Sequence, residues 1–182
     1  MAAGPQQHSS SPACCSRWGF LPPSGLTAES FPELPKFPKL SNMKIEIPEK
    51  KKLVREMHIP IRWGDMDAMG HLNNTSYFRY METIRIDWMC AIGCQPDPQG
   101  EGPVIVNAFC NFYRQLEYPG DVLIRMYVSD PGRTTFETWA TLERADKPGV
   151  ICAAGGATTI WVDFPAQKAT TLPDWMRQAV EG

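Results

Sequence analysis

The hydrophobic and polar positions of this chain follow two periods, and the first begins near residue 53. Apolar residues there alternate with polar ones, at Leu53, Met57, Ile59, Ile61 and Trp63. A period of two predicts a strand with one buried face. Pro60 lies in this strand and has no N–H to donate to a neighbour, so we expect the strand at the edge of a sheet.

The second period is that of a helix, and it begins after residue 76. Apolar residues recur three and four positions apart, at Tyr77, Met81, Ile84 and Trp88. This spacing places all four on one face, which predicts a helix packed on an apolar surface. Asn73 or Asn74 is suited to cap its start, and Gly93 is suited to end it.

The rest of the chain predicts four more strands. They cover residues 103–116, 121–129, 134–144 and 150–164. The turn-forming segments SDPGR and RADKPG separate the last three. The run AAGGATT (153–159) contains only small side chains, so a helix could approach that strand closely. A short last helix is predicted near 172–180.

One long helix and about five antiparallel strands predict a two-layer α+β architecture within residues 43–182. A sheet with one helix keeps open edges, which favours pairing of two copies. Residues 1–42 hold seven of the 17 prolines and no hydrophobic period. We interpret them as a disordered Pro/Ser-rich leader without a signal peptide, and we assign them no function.

Composition and charge exclude several classes of function. The chain has 182 residues, of which 43% are hydrophobic, and a formal net charge of −2. That charge offers no basic surface for nucleic acid, and no apolar run approaches the ~20 residues of a membrane helix. The six cysteines show no CxxC pair and no zinc-ligand spacing. We therefore expect reduced thiols in a cytoplasmic protein.

Most of the candidate chemistry lies in one polar segment, WGDMDAMGHLNNTSYF (63–78). It begins like a calcium-binding loop, with Asp65 and Asp67 at the first and third positions. Ser76, however, stands at the twelfth position, where that loop requires a glutamate. A transition-metal site of Asp65, Asp67 and His71 would lack further ligands. We expect no metal and no organic cofactor.

Three readings of the polar segment remain. A serine hydrolase is poorly supported, since GxSxG is absent and only His71 and Ser76 could pair. Asx turns with a helix cap would explain the asparagines, but they need fewer acidic residues. The third reading is a carboxylate beside a helix N-terminus, whose unpaired N–H groups stabilise a developing oxyanion. A thioester suits such a site because its thiol leaves without strong acid assistance, with a pKa of ~8.5.

The same residues resemble a known family. The segment WGDMDAMGH, the following NN and the later GPVIVNAFCNFYRQLEYPGDV closely resemble hotdog-fold acyl-CoA thioesterases of the 4-hydroxybenzoyl-CoA thioesterase-like group. The resemblance covers about residues 43 to 170. It implies a long central helix wrapped by an antiparallel sheet, a homodimer or homotetramer, and a site at the subunit interface.

The resemblance also implies roles for individual residues. Asp67 matches the catalytic carboxylate, which acts as nucleophile or general base, and the oxyanion donor falls at the backbone N–H of Asn74. His71 matches one member of the aspartate–asparagine–histidine group of plant acyl-carrier thioesterases, but Met69 occupies the asparagine position. Another hotdog branch carries its carboxylate on the helix, where Glu82 is the local candidate.

Two further sets of residues carry weaker expectations. We expect Asp65 to hold the loop together by accepting backbone hydrogen bonds. The candidates for the phosphates of CoA are Arg62, Arg79, Arg114 and Arg133. The sequence therefore predicts an acyl-CoA thioesterase, with a hotdog dehydratase or hydratase and a non-catalytic acyl-CoA-binding module as the alternatives.

Overall fold

Five long strands form one antiparallel sheet at the places that the alternating patterns predict. The computed structural model of the protein describes residues 46–95 and 97–182. Its strands are Lys52–Pro60 (β1), Glu101–Phe112 (β2), Asp121–Ser129 (β3), Thr135–Arg144 (β4), Ile151–Asp163 (β5) and the two-residue Lys168–Ala169 (β6). The order in the sheet is β1-β3-β4-β5-β2, with β6 paired to β5. The predicted α+β class is confirmed, whereas the predicted leader lies outside the described residues.

The long helix Asn74–Ala91 (α1) packs on the sheet with its predicted apolar stripe. Tyr77, Met81, Ile84 and Trp88 are all buried. Gly93 lies two residues after the last helical residue and terminates the helix, as expected, with a φ of +85°. There the Cys94 N–H donates to the Met89 carbonyl at 2.9 Å, a bond typical of a glycine-terminated helix. A second helix, Asp174–Glu181 (α2), closes one end of the core with Met176 and Val180. Neither helix in the described ranges is long and apolar enough to span a bilayer.

The small residues of β5 leave room for neighbouring side chains. A Cβ atom added to Gly155 would lie 2.8 Å from the Met81 sulfur of α1 and 2.4 Å from the Phe109 carbonyl oxygen. One added to Gly156 would lie 2.7 Å from the Trp139 ring instead. Gly155 therefore leaves room for the Met81 side chain, whereas the backbone of α1 lies close to β1 and β3.

The apolar face predicted for β1 is wrong at both ends. Leu53 is exposed, because an irregularity between Leu53 and Arg55 turns Val54 towards the core instead. Trp63 is also exposed, since the strand ends at Pro60 and the chain turns into a short 3₁₀ helix, Trp63–Asp65. Pro60 lies in the edge strand, as predicted.

The second strand ends four residues earlier than predicted, at Phe112. The backbone N–H groups of Tyr113 and Arg114 both donate to the Cys152 carbonyl, at 2.8 and 2.9 Å. This shared acceptor replaces the regular ladder and releases residues 113–120 from the sheet. The freed segment then runs beside the loop that leads into α1.

Strand β2 occupies the opposite edge from β1, and it is an open edge among the described strands. Its residues 102–112 include no charged side chain. Exposed apolar side chains on this strand are Val104, Ile105, Val106 and Phe112. Soluble proteins normally protect such an edge with charges, prolines or a covering element. Among the described residues, the edge of β2 therefore lacks the charges that usually protect such a strand.

Candidate active site

The loop between β1 and α1 is fixed by backbone hydrogen bonds to the released segment 113–120. The Ile61 N–H donates to the Gly120 carbonyl at 2.9 Å, and the Leu72 N–H donates to the Leu116 carbonyl at 2.7 Å. Two points of attachment hold the polar loop against one end of the sheet. The loop is thereby a rigid platform for its side chains.

Asp65 has the structural role that the sequence suggests. Its carboxylate accepts hydrogen bonds from the Arg62 N–H at 3.2 Å and from the Tyr80 hydroxyl at 2.9 Å. Its backbone carbonyl accepts the Asn73 N–H at 2.9 Å. Asp65 therefore joins the start of the loop to the first turns of α1.

We expect Asp65→Asn to lower stability more than it lowers the rate of any reaction at Asp67. Asparagine keeps one oxygen but loses the charge that strengthens both hydrogen bonds, which costs about 1–2 kcal/mol of unfolding free energy. Urea unfolding measures this loss. A variant with native stability but a strongly reduced rate at saturating substrate would contradict this role.

Asp67 lies at the centre of a tight turn that orients its carboxylate. One oxygen, Oδ1, accepts hydrogen bonds from the Met69 N–H at 2.8 Å and the His71 N–H at 3.1 Å. Gly70 completes the turn with a φ of +79°, a conformation that glycine adopts easily. The second oxygen, Oδ2, has no hydrogen-bond partner within the described chain and remains available for chemistry.

The same turn keeps Asp67 ionised. The backbone N–H groups of His71 and Met69 hold the pKa of this carboxyl below its ordinary value, because they stabilise the charged form. The nearby His71 side chain adds a smaller effect in the same direction. Asp67 therefore carries its negative charge throughout the neutral pH range.

The N-terminus of α1 is capped by Asn73, which settles the choice between the two asparagines. The Asn73 side-chain oxygen accepts the Thr75 N–H at 2.9 Å and the Thr75 hydroxyl at 2.8 Å. The Asn73 carbonyl accepts the Ser76 N–H at 2.9 Å. Asn74 is the first helical residue, and its N–H has no protein acceptor in the part of the chain that the structure describes.

The three predicted site residues meet at one cavity. Asp67, His71 and Asn74 line an open cavity of about 390 Å³ at the N-terminus of α1. The opposite wall comes from the released segment, with Tyr113 and Arg114 among its residues. A carboxylate and a helix-terminal N–H therefore share one space that a small carbonyl group can enter.

Tyr77 also lines this cavity, although the sequence indicated only a core role for it. The ring is buried against Phe112, with the ring centroids 4.9 Å apart. Burial raises the pKa of Tyr77 to about 12, so its hydroxyl keeps its proton and can only donate or accept hydrogen bonds. Its position in the first turn of α1 was the available signal, because helical side chains point back towards the N-terminus.

The other candidate residues fall into different places. Met69, at the position of the asparagine in the plant-type group, is 77% exposed and carries no polar side chain. Glu82 lines a separate cleft with Arg79 and Arg85, beside the middle of α1, where backbone N–H groups are bonded within the helix. Glu82 therefore does not share the cavity that Asp67 and Asn74 line.

The arginine candidates for the CoA phosphates also lie in different places. Arg114 lines the Asp67 cavity, and Arg62 directly precedes the 3₁₀ helix of the same loop. Arg133 follows β3, at the end of the sheet opposite to the site, because β3 begins beside the loop at Asp121. Within the described ranges, no three His, Cys, Asp or Glu side chains converge to hold a metal ion.

Comparison with known proteins gives the family. The family model described as "Thioesterase-like superfamily" matches residues 61–180. The PA2801 protein of Pseudomonas aeruginosa is 31% identical, with a TM-score of 0.67, over 70% of this chain and 98% of that one. The curated protein YsmA of Bacillus subtilis is 22% identical over 116 residues, which is 64% of this chain and 78% of that protein.

A more distant structure shares the fold. DHNA-CoA thioesterase from Staphylococcus aureus is 19% identical and has a TM-score of 0.61, over 71% of this chain and 87% of that one. The long helix on an antiparallel sheet is the arrangement that these structures have in common. From the family match, this fold and the PA2801 likeness together, the chain belongs to the thioesterase-like superfamily with its hotdog fold, and the protein is a thioester hydrolase.

Proposed function

We propose that the protein hydrolyses acyl-CoA thioesters to a carboxylic acid and CoA, with Asp67 as the reacting carboxylate. The observation that carries this proposal is the shared cavity of the Asp67 carboxylate and the unpaired Asn74 N–H. The first group can attack a carbonyl carbon or activate a water molecule. The second can bind the carbonyl oxygen as it becomes negative.

The reaction follows from these two positions. The thioester carbonyl oxygen binds the Asn74 N–H, and Asp67 Oδ2 either attacks the carbonyl carbon or removes a proton from an attacking water. The carbon–sulfur bond then breaks, and the sulfur leaves as a thiolate. If Asp67 is the general base, the thiolate takes up the proton that Asp67 removed from water, which restores the carboxylate. If Asp67 is the nucleophile, the thiolate takes up a proton from solvent, and one water molecule then hydrolyses the resulting anhydride and restores the carboxylate.

Two alternatives are less well supported. A dehydratase or hydratase needs an acid–base group that reaches Cα and Cβ of the acyl chain, and Asp67 here shares its cavity with Asn74 at the helix terminus. A non-catalytic acyl-CoA-binding module would have no use for an oriented carboxylate at an anion-binding N–H. The free thiols of Cys90, Cys94, Cys110 and Cys152 favour the cytoplasm as the site of action.

A hydrolysis screen tests the proposed function. The protein is incubated with CoA thioesters of short, long and aromatic acids, and the released thiol is followed with a thiol-reactive dye. We expect turnover of at least one class, and loss of that turnover in Asp67→Asn. A protein that binds acyl-CoA without releasing thiol from any of them would instead be a binding module.

We also propose that two copies pair along β2. The uncharged open edge of this strand can continue the sheet into a second copy and bury its exposed apolar side chains. We expect Val106→Lys to shift the protein from dimer to monomer, measured by light scattering after gel filtration. The matched control is Leu53→Lys, on the exposed part of the other edge strand. A native dimer in the Val106 variant would contradict this pairing.

A further inference from the structure

Two large aromatic rings are exposed beside the Asp67 loop. Trp63 is 77% exposed and Tyr118 is 47% exposed. Their ring centroids are 5.8 Å apart at an interplanar angle of 80°, so the edge of one ring meets the face of the other. Aromatic side chains of this size are usually covered, and exposed apolar surface of this kind marks binding sites.

The backbone holds both rings in place. Trp63 begins the 3₁₀ helix, in which the Met66 N–H donates to the Trp63 carbonyl at 3.2 Å. The segment around Tyr118 is clamped by Arg144, which donates to the Glu117 carbonyl at 2.8 Å and the Pro119 carbonyl at 3.1 Å. We call Trp63 and Tyr118 the aromatic pair. It is a fixed surface feature and not a flexible loop tip.

The aromatic pair is continuous with the candidate site. Trp63 precedes Asp67 by four residues in the same loop, and Tyr118 belongs to the released segment whose Tyr113 and Arg114 line the Asp67 cavity. The bond between the Leu72 N–H and the Leu116 carbonyl joins these two segments. The aromatic pair and the Asp67 cavity therefore belong to the same two joined segments.

Two cations lie in the same two segments. Arg62 is exposed and adjoins Trp63, and Arg114 is exposed at the cavity. Neither arginine forms an ion pair within the described chain. Exposed aromatic ring faces beside two unpaired guanidinium groups are complementary to a purine base that carries phosphates.

A second copy of the chain is a weaker occupant for this surface. The edge that we propose for pairing with a second copy is β2, whereas Trp63 follows β1 at the other edge of the sheet. The surface also combines aromatic faces, on which a base can stack, with unpaired positive charge. An acyl-CoA matches both features, because its adenine ring stacks on aromatic rings and its phosphates are negative.

We propose that the aromatic pair of Trp63 and Tyr118 binds the adenine ring of the CoA substrate, with Arg62 and Arg114 contacting its phosphates. This inference rests on the proposed function and assigns the nucleotide end of that substrate. The pair contributes binding energy and takes no part in the chemistry. Its loss therefore raises KM and leaves kcat nearly unchanged.

The test compares one acyl group on two thiols, CoA and pantetheine, which lacks the nucleotide. We expect Trp63→Leu to lower kcat/KM for the acyl-CoA about 10-fold, through KM, and to leave the acyl-pantetheine unaffected. Tyr118→Leu should act in the same direction. The control is Trp175→Leu, since Trp175 is 44% exposed and forms a similar edge-to-face pair with Trp161 far from the loop.

The outcomes separate this inference from the proposed function. Equal losses on both thioesters would make Trp63 a support of the loop, and no loss on either would leave the pair without a role in binding. Both results overturn the inference while turnover that requires Asp67 still supports the function. A Trp63-dependent preference for acyl carrier protein over CoA would also overturn it. A wild-type protein that hydrolyses neither thioester overturns the function and the inference together.

Discussion

Asp67→Asn loses thioesterase activity by a factor of about 10² or more in kcat, and it folds normally. The asparagine oxygen can still accept the Met69 and His71 N–H groups that hold the turn. The amide nitrogen that replaces the free oxygen can neither attack a carbonyl nor accept a proton from water. Steady-state kinetics with thiol detection measures the loss, and circular dichroism verifies the fold.

Glu82→Gln is the matched control, because it removes the rival carboxylate from the neighbouring cleft. We expect it to retain near-native kcat. The wild-type pH profile gives a second measurement. Since the pKa of Asp67 is lowered, activity should persist as the pH falls to the ordinary aspartate value of ~3.9, as long as the protein stays folded. If Asp67→Asn is active and Glu82→Gln is inactive, the reacting carboxylate is Glu82 and the assignment to Asp67 is wrong.

Asn74→Pro should lose about 10²–10³-fold in kcat, because it deletes the proposed oxyanion donor. The substitution fits the backbone. Proline is favoured at the first helical position, and Asn73 already has the extended φ of −57° and ψ of 135° that a residue before proline requires. No hydrogen bond of the described protein depends on the Asn74 N–H. Kinetics and thermal melting on the same sample measure the effect.

Two neighbouring variants separate the backbone from the side chain. Asn74→Ala keeps the N–H and should keep most of the activity, because Asn73 and not Asn74 caps the helix. Asn73→Ala removes the cap and should cost ~1 kcal/mol of stability with a small effect on kcat. If Asn74→Ala and Asn74→Pro lose activity equally with the helix intact, the side chain is the active group, and the mechanism at the helix terminus is wrong.

The sequence predicted the fold well where burial alone decides the structure. The stripe from Tyr77 to Trp88 is a pattern of contact with one apolar surface, so periodicity reveals it. The ends of β1 were predicted wrongly, because an irregularity beside Leu53 changes which side chains face the core. The order of hydrophobic and polar residues does not reveal such a shift in strand pairing.

Only one wall of the candidate cavity was predictable as a unit, because its residues lie in one segment of the chain. Asp67, His71 and Asn74 are close in sequence, and the resemblance to a known family placed them together. Arg114 was only one of four arginine candidates for the CoA phosphates, and Tyr113 was not a candidate. Both line the same cavity because β2 ends early and the two residues after it share the Cys152 carbonyl. That meeting depends on strand register and on one backbone acceptor, which a pattern of residue types does not specify.

The choice of capping residue is a similar case. Asn73 and Asn74 have the same side chain and both suit a helix start. Only the hydrogen bonds to Thr75 distinguish the cap from the first helical residue. This difference of one position decides which N–H remains unpaired, and therefore which residue a mechanistic experiment should change.

The persistent charge of Asp67 has a consequence for the departure of the product. In the proposed reaction, hydrolysis turns a neutral thioester into a carboxylate at the N-terminus of α1, where a helix end attracts anions and no acidic side chain occupies the first turn. Such a site would retain its own acid if nothing opposed it. Asp67, still ionised across the same cavity, repels the new anion. The group that opens the thioester would thus also limit inhibition by the acid that it forms.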